Sequence, residues 1–285
     1  MIVFPNAKIN IGLRVTGRRP DGYHDLDTIF YPIPLCDSLE VVPMSIDQQV
    51  NESTNPQTDI KLHLVGAELE GAVEDNLVVR AYRRLKADFP DMPPVEVWLY
   101  KHIPSGAGLG GGSSDAAHTL TMLRQMFNLD ITDEALAALA AHLGADCAFF
   151  VYNRPMSATG IGDVLMPIEV NLTGKVLLLV KPPVAVSTAQ AYSRVTPGTP
   201  PQWARDVVTW PIEQWDGALV NDFEPSVFAL HPQLWNIKIA LLQAGAHYAA
   251  MSGSGSTIFG IFDDVKVAEQ VSAKFSDCAT FVLGL

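Results

Sequence analysis

Residues 106–117 read Gly-Ala-Gly-Leu-Gly-Gly-Gly-Ser-Ser-Asp-Ala-Ala, a run that exposes a row of backbone N–H groups and then begins a helix. Glycine lets the backbone take positive φ and come close to a ligand. A helix starting near Ser113 turns its unsatisfied amides and the positive end of its dipole toward bound phosphate. A flexible linker would continue in Gly, Ser and polar residues. Here Ala116, Ala117, Leu120, Met122, Leu123 and Met126 follow, a buried helical pattern. The stretch is therefore read as a phosphate cradle. It lacks the Gly-Lys-Ser/Thr ending of a Walker A loop. Glycines at 106, 108 and 111 satisfy the Gly-x-Gly-x-x-Gly dinucleotide pattern, but that match alone has little specificity.

Working outward, residues 95–100 alternate as a strand does, so the loop lies between a strand and a helix. Upstream, residues 8–15 alternate polar and apolar side chains strictly, which predicts a strand with one buried face and places Lys8, Asn10, Gly12 and Arg14 on the other. Asp21-Gly22 makes a turn. Strands are predicted at 28–35, 38–42 and 60–65, with a polar loop over 47–59 and a helix over 76–89. Downstream, Thr132 caps a helix over 133–143 that stops at Gly144, leaving Asp146 just past a helix end. A second pattern starts at Gly174. It comprises a strand at 176–180, a Pro182-Pro183 turn, a helix from Ser187, and a connection rich in proline and tryptophan over 196–217. Helices at 222–229 and 231–244, strands near Tyr248 and at 257–262, a helix at 265–276 and a strand at 279–283 follow. The pattern is α+β, with domains expected over 1–160 and 161–285.

The chain has 285 residues, 48% hydrophobic and only 18% charged, enough to bury one large core or two modest ones. Its formal net charge of −12 argues against nucleic acid or an anionic membrane as partner, since both need a basic field. Cys36, Cys147 and Cys278 are far apart, odd in number and without C-x-x-C spacing, so neither a disulfide framework nor a zinc site is expected. No signal-peptide pattern opens the chain, and the apolar run over 135–151 is interrupted by His142 and Asp146. A cytoplasmic protein, monomeric or weakly homodimeric, is expected.

Six segments in order carry a resemblance: Asn6-Ala7-Lys8-Ile9-Asn10-Ile11-Gly12-Leu13, Asp21-Gly22-Tyr23-His24, Glu74-Asp75-Asn76-Leu77, residues 104–117, Leu143-Gly144-Ala145-Asp146 and Ser252-Gly253-Ser254-Gly255-Ser256. Together they resemble the GHMP kinase superfamily, most of all the branch acting on a cytidine diphosphate-linked methylerythritol. The Lys-x-Asn strand followed by Arg-x-Asp-Gly-Tyr-His discriminates better than the glycine loop. The resemblance implies a two-domain fold, with an N-terminal domain like ribosomal protein S5 domain 2, a ferredoxin-like C-terminal domain and an active site in the cleft. It also implies ATP-dependent phosphorylation of an alcohol, a step in non-mevalonate isoprenoid biosynthesis.

By the same resemblance, Asp146 is the catalytic base and Lys8 the cation beside it and the transferred phosphate. Phosphoryl transfer asks mainly for positioning, charge stabilisation and one group to take the hydroxyl proton. Without the resemblance, Asp146 reads as a helix-terminal carboxylate bonded to local backbone, and Lys8 as a solvent-facing strand residue. Asn10 is implied to orient substrate, Tyr23 and His24 to grip the cytidine, and Thr188 and Tyr192 to supply a hydroxyl and a second aromatic wall. Asn76 is implied to bind adenine, although an Asn before an apolar helix is also a plain N-cap. Pro104, Gly106, Gly108, Leu109, Gly110, Gly111, Gly112, Ser113 and Ser114 form the ATP phosphate loop. Ser252, Gly253, Ser254 and Gly255 form a third glycine motif. Magnesium is expected with ATP, near Ser113 or Ser114, without a protein metal cluster. Asp115 adds a negative charge in the first helical turn and is expected to point away from the triphosphate. Sister kinases for homoserine, mevalonate or a sugar are the nearest alternatives, and Tyr23-His24 speaks against them. A catalytically silent nucleotide sensor is opposed by the presence of both Lys8 and Asp146. No role is assigned to 196–217, which is a lid, an interface or a packed connection.

Overall fold

A computed structural model describes residues 1–44, 59–66 and 71–285. Most of the polar loop expected over 47–59 lies outside them. In chain order the strands are β1 (Ile2–Val3), β2 (Asn6–Arg18), β3 (His24–Cys36), β4 (Ser38–Pro43), β5 (Ile60–Val65), β6 (Val95–Tyr100), β7 (Met156–Thr159), β8 (Val164–Pro167), β9 (Val176–Lys181), β10 (Tyr248–Met251), β11 (Ile258–Phe262) and β12 (Ala279–Gly284). The helices are α1 (Leu77–Asp88), α2 (Gly111–Met126), α3 (Asp133–Ala141), α4 (Cys147–Tyr152), α5 (Thr188–Tyr192), α6 (Ala204–Val207), α7 (Glu224–Leu230), α8 (Pro232–Gln243) and α9 (Val265–Ser272). The α+β class stands. No helix among the described residues is long and apolar enough to cross a membrane. The three cysteines are free.

The chain forms two compact units interleaved in sequence. One gathers Met1–Ala7, Leu35–Ile103 and Gly111–Asn153; the other gathers Lys8–Pro34, Pro104–Gly110 and Arg154–Leu285. The first is built on a sheet ordered β1-β4-β6-β5, antiparallel except for the parallel β5–β6 pair. Helices α1 to α4 supply the other layer of its core. Val78, Val79, Tyr82 and Leu85 of α1 and Leu120 and Leu123 of α2 pack with Leu39, Val41, Val97 and Leu99 of the sheet. These spacings of three and four residues are what place one helical stripe against a sheet. Asn76 Oδ1 accepts from Val78 N at 2.9 Å and starts α1, and Thr132 Oγ1 accepts from Ala135 N at 3.2 Å and starts α3.

The second unit contains two sheets, ordered β2-β3-β7-β8 and β10-β11-β9-β12. The latter is antiparallel throughout, and α8 and α9 connect its strands in a β-α-β-β-α-β sequence. That is the ferredoxin-like arrangement expected for the C-terminal part. Leu178, Val180, Ala249, Met251, Ile258 and Phe262 pack beneath Leu234, Leu241, Ala268 and Val271. The 196–217 segment is a packed connection in this unit. Trp215 is buried, its indole N–H donates to Trp210 O at 3.1 Å, and its ring meets Tyr248 edge-on.

The polar face of β2 departs from expectation. Instead of facing solvent, Lys8 is 3% exposed and Asn10 2% exposed. Gly12 takes φ +67°, which breaks the strict alternation, and its N–H donates to Tyr248 Oη at 3.1 Å. Burying a lysine and an asparagine in a strand is costly unless each polar group finds a partner, and here the partners are the glycine motifs.

Candidate active site

Within the second unit, Lys8 Nζ donates to Asn10 Oδ1 at 2.5 Å and to Gly108 O at 3.0 Å, and it lies 5.3 Å from the centre of the Phe30 ring. Asn10 is held at both ends of its amide, because its Nδ2 donates to Thr28 Oγ1 at 3.0 Å and Thr28 in turn donates to Gly12 O at 2.5 Å. The glycine loop is bound to the same strand: Lys8 N donates to Leu109 O at 3.0 Å. Ser252 joins them, accepting from Asn10 N at 3.3 Å and donating to Gly108 O at 2.8 Å. Gly106, Gly108, Gly110, Gly253 and Gly255 all have positive φ, so both glycine segments use conformations other residues rarely adopt. At Gly108 the approach is too close for any side chain, since an added Cβ would lie 2.0 Å from Ser252 O. Pro104 is half-buried, and Leu109 is anchored in the interior at 1% exposure. Thus Lys8, Asn10, Gly108, Leu109, Ser252 and Gly253 are one connected cluster. Ser254 lies between the positive-φ glycines of the turn.

Two members of this cluster were not singled out from sequence. Thr28 fixes the Asn10 amide, as above. Asn221 Nδ2 donates to Met251 O at 2.7 Å and to Gly253 O at 2.8 Å, holding the third glycine turn in place, while Asn221 Oδ1 accepts from Phe223 N at 2.9 Å. Neither residue belongs to a motif of its own, so no local signal marks it.

The aromatic residues of the same unit divide. His24 stacks on Tyr192 with centroids 4.6 Å apart and planes 25° from parallel, and Tyr192 meets Phe223 edge-on at 4.6 Å. Tyr23 stands 61% exposed. Thr188 is exposed at the start of α5, whose N-cap Ser187 and Gln190 form a reciprocal capping box. Burial raises the Tyr192 phenol above its ordinary pKa, so it serves as a neutral wall.

In the first unit, Gly111, Gly112, Ser113 and Ser114 form the first turn of α2. The two serines differ. Ser114 is fully buried, and its Oγ lies 3.3 Å from His118 Nδ1. Ser113 is half-buried and bonds the Cys147 thiol, which burial pushes up to about 11. An added Cβ at Gly144 would lie 3.7 Å from Ser113 Oγ, so the 144–147 turn packs against the start of α2. Asp146 occupies that turn at the N-cap position of α4, yet its side chain makes no capping hydrogen bond. Asn76 does act as a cap through Oδ1. Asp115 is 2% exposed and bonds Lys101 Nζ at 2.6 Å. Among the described residues no group of three or more His, Cys, Asp or Glu is arranged to hold a metal.

The family model described as "GHMP kinases N terminal domain" matches residues 76–154, and the model described as "GHMP kinases C terminal" matches 212–279. A 4-diphosphocytidyl-2-C-methyl-D-erythritol kinase of Bacteroides fragilis is 50% identical over 262 residues, covering 92% of each chain. The protein of the same name from Bacteroides thetaiotaomicron is 48% identical over 265 residues, again 92% of each chain. A crystal structure of 4-(cytidine 5'-diphospho)-2C-methyl-D-erythritol kinase superposes over 100% of both chains with a TM-score of 0.78 at 30% identity. A homoserine kinase from Cytophaga hutchinsonii shares the fold at 17% identity, with a TM-score of 0.66 over 98% of this chain and 94% of that one. The glycine loop wired to Lys8 thus sits in a chain that belongs to the GHMP kinase family and is an ATP-dependent small-molecule kinase.

Proposed function

We propose that this kinase transfers the γ-phosphoryl group of ATP to the 2-hydroxyl of 4-diphosphocytidyl-2-C-methyl-D-erythritol, giving the 2-phosphate and ADP in non-mevalonate isoprenoid precursor synthesis. The observation that carries the phosphoryl chemistry is the buried cluster in which Lys8 reaches the carbonyl of Gly108 while Asn10 and Ser252 lock both in place. The choice of acceptor rests on relatives of that name at 44–50% identity. In this reading Asp146 accepts the hydroxyl proton as the oxygen attacks phosphorus, the bond from phosphorus to the bridging oxygen breaks, and ADP leaves. Lys8 stabilises charge on the transferred group, and the amides of the glycine loop and of the first turn of α2 hold the triphosphate.

Asn76 retains its Nδ2 group for adenine while Oδ1 caps α1, so its two readings are compatible. Magnesium, when bound with the nucleotide, neutralises phosphate charge. Ser113, half-buried, is better placed to offer an oxygen than Ser114, which is fully buried with its hydroxyl against His118. The net charge of −12 supports a kinase without nucleic-acid or anionic-membrane partners, and a cytoplasmic monomer or weak homodimer belongs to the same reading. The test is an ATP-consumption assay on purified protein with the cytidyl substrate, homoserine, mevalonate and galactose in parallel. Turnover with the first alone is expected, and faster turnover with any other overturns the assignment.

Tyr192, His24 and exposed Tyr23 supply aromatic faces for the cytosine. Stacking of a base on an aromatic residue is worth about 1–3 kcal/mol by alanine substitution, roughly a 5- to 150-fold change in affinity. His24→Ala is accordingly expected to raise KM for the cytidyl substrate by about 5- to 150-fold while KM for ATP stays put. An unchanged cytidyl KM would remove the clamp.

A further inference from the structure

The two stems of the glycine loop, both in the first unit, meet at a buried charge cluster that no motif announces. Asp37 is fully buried, and its Oδ1 accepts from His102 N at 2.5 Å and Ile103 N at 2.8 Å, the last residues before Pro104. Its Oδ2 accepts from Lys101 Nζ. The same ammonium donates to Asp115 Oδ2 at 2.6 Å, in the helical turn that leaves the loop. Asp115 Oδ1 is buried with no hydrogen-bond partner. Lys101 Nζ would also lie 3.3 Å from a Cβ added at Gly111, the first residue of α2. One cation therefore binds the end of β6, the turn before β4 and the start of α2.

We propose that Lys101, gripped by Asp37 and Asp115, is a positioning residue that sets the spacing between the two ends of the phosphate loop and thereby its fit to the ATP phosphates. This rests on reading 104–114 as that loop. Three features separate the cluster from an ordinary surface ion pair. It is enclosed, with the Lys101 and Asp115 side chains only 10% and 3% exposed, so solvent screening is weak. It binds backbone N–H groups at the loop entrance as well as side chains. Its charges do not balance, with two carboxyl groups sharing one ammonium. Burial pushes Asp115 up to about 7, far above an ordinary carboxylate. Burial works to lower the Lys101 amine, but the charge of Asp115 and the hydrogen bonds to both carboxylates outweigh it and hold the amine protonated. A cluster of this kind constrains geometry more than it adds stability, because desolvation offsets most of the attraction.

Lys101→Met retains the aliphatic stem and removes the cation. It is expected to raise both the ADP dissociation constant, measured calorimetrically, and KM for ATP at least tenfold, with KM for the cytidyl substrate within twofold of wild type. Asp115→Asn keeps an acceptor for Lys101 without its charge, and a rise of about threefold in the same nucleotide parameters is expected. It also serves if Lys101→Met fails to fold. A purely structural role would instead lower the melting temperature and the active fraction while leaving both KM values in place, and that result overturns the proposal. So does nucleotide affinity within twofold of wild type in whichever variant folds. Failure of the underlying loop reading is distinguishable, since the wild-type protein would then bind ADP with no contribution from the phosphate loop, and Gly108→Ala would bind it equally well.

Discussion

Asp146→Asn is expected to lower kcat by about 10²–10⁴-fold, the usual contribution of a positioned general base, while ATP affinity stays close to that of the parent protein. The amide keeps the shape of the carboxylate but cannot take the hydroxyl proton. No capping bond of α4 is lost with the carboxylate. A lost charge at a helix N-terminus is typically worth only ~0.3–1 kcal/mol. Single-turnover phosphoryl transfer measured at saturating ATP and cytidyl substrate isolates the chemical step, and the loss should appear there in full. A variant that transfers phosphate at the wild-type rate would dismiss Asp146 as the base and return it to the structural role its position first suggests. Asp146→Ala should behave alike in kcat, and agreement between the two would locate the effect in the carboxylate rather than in side-chain volume.

The elements that were plain in the sequence are those whose pattern is local. β2, α1 and α3 announce themselves through alternation, an Asn cap and a Thr cap, each acting within a few residues. β7 and β8, four residues each, are too short to show a period, and α4 is a wholly apolar Cys-Ala-Phe-Phe-Val-Tyr run without one. The site divides in the same way. The glycine segments and the Lys-x-Asn strand could be read because their residue types are rare at that spacing. Lys101 could not, because its carboxylate partners lie 64 and 14 residues away and a lysine ending a strand usually faces water. Asn221 escaped for the same reason, with carbonyl partners 30 and 32 residues on. The strand is legible from its alternation, but the burial of Lys8 and Asn10 is not. A polar face looks solvated in a sequence, and only the fold reveals Thr28, Gly108 and Ser252 waiting to satisfy it.

Gly106 and Gly108 offer a comparison within one loop, and Gly108→Ala is expected to be the more damaging by far. Both residues have left-handed φ, +59° and +75°, so alanine at either meets the same backbone penalty, roughly 1–2 kcal/mol. Around Gly106 nothing lies within 4 Å of an added Cβ, whereas at Gly108 it would lie 2.0 Å from Ser252 O and 2.9 Å from Ser252 C. Neither neighbour is the end of a flexible side chain, so the 252–256 turn or the loop must move by an ångström or more. That movement breaks the bonds Gly108 O accepts from Lys8 at 3.0 Å and Ser252 at 2.8 Å, and with them the orientation of the lysine. Displacements of about 1 Å in a positioned site can cost 10²-fold in rate, so kcat/KM for ATP is expected to fall about 10²-fold or more in Gly108→Ala. Gly106→Ala, limited to backbone strain, should lose about 30-fold at most. Equal losses would mean that strain alone governs the loop, and an active Gly108→Ala would show that the contact between the two glycine segments is not what aligns Lys8 for phosphoryl transfer.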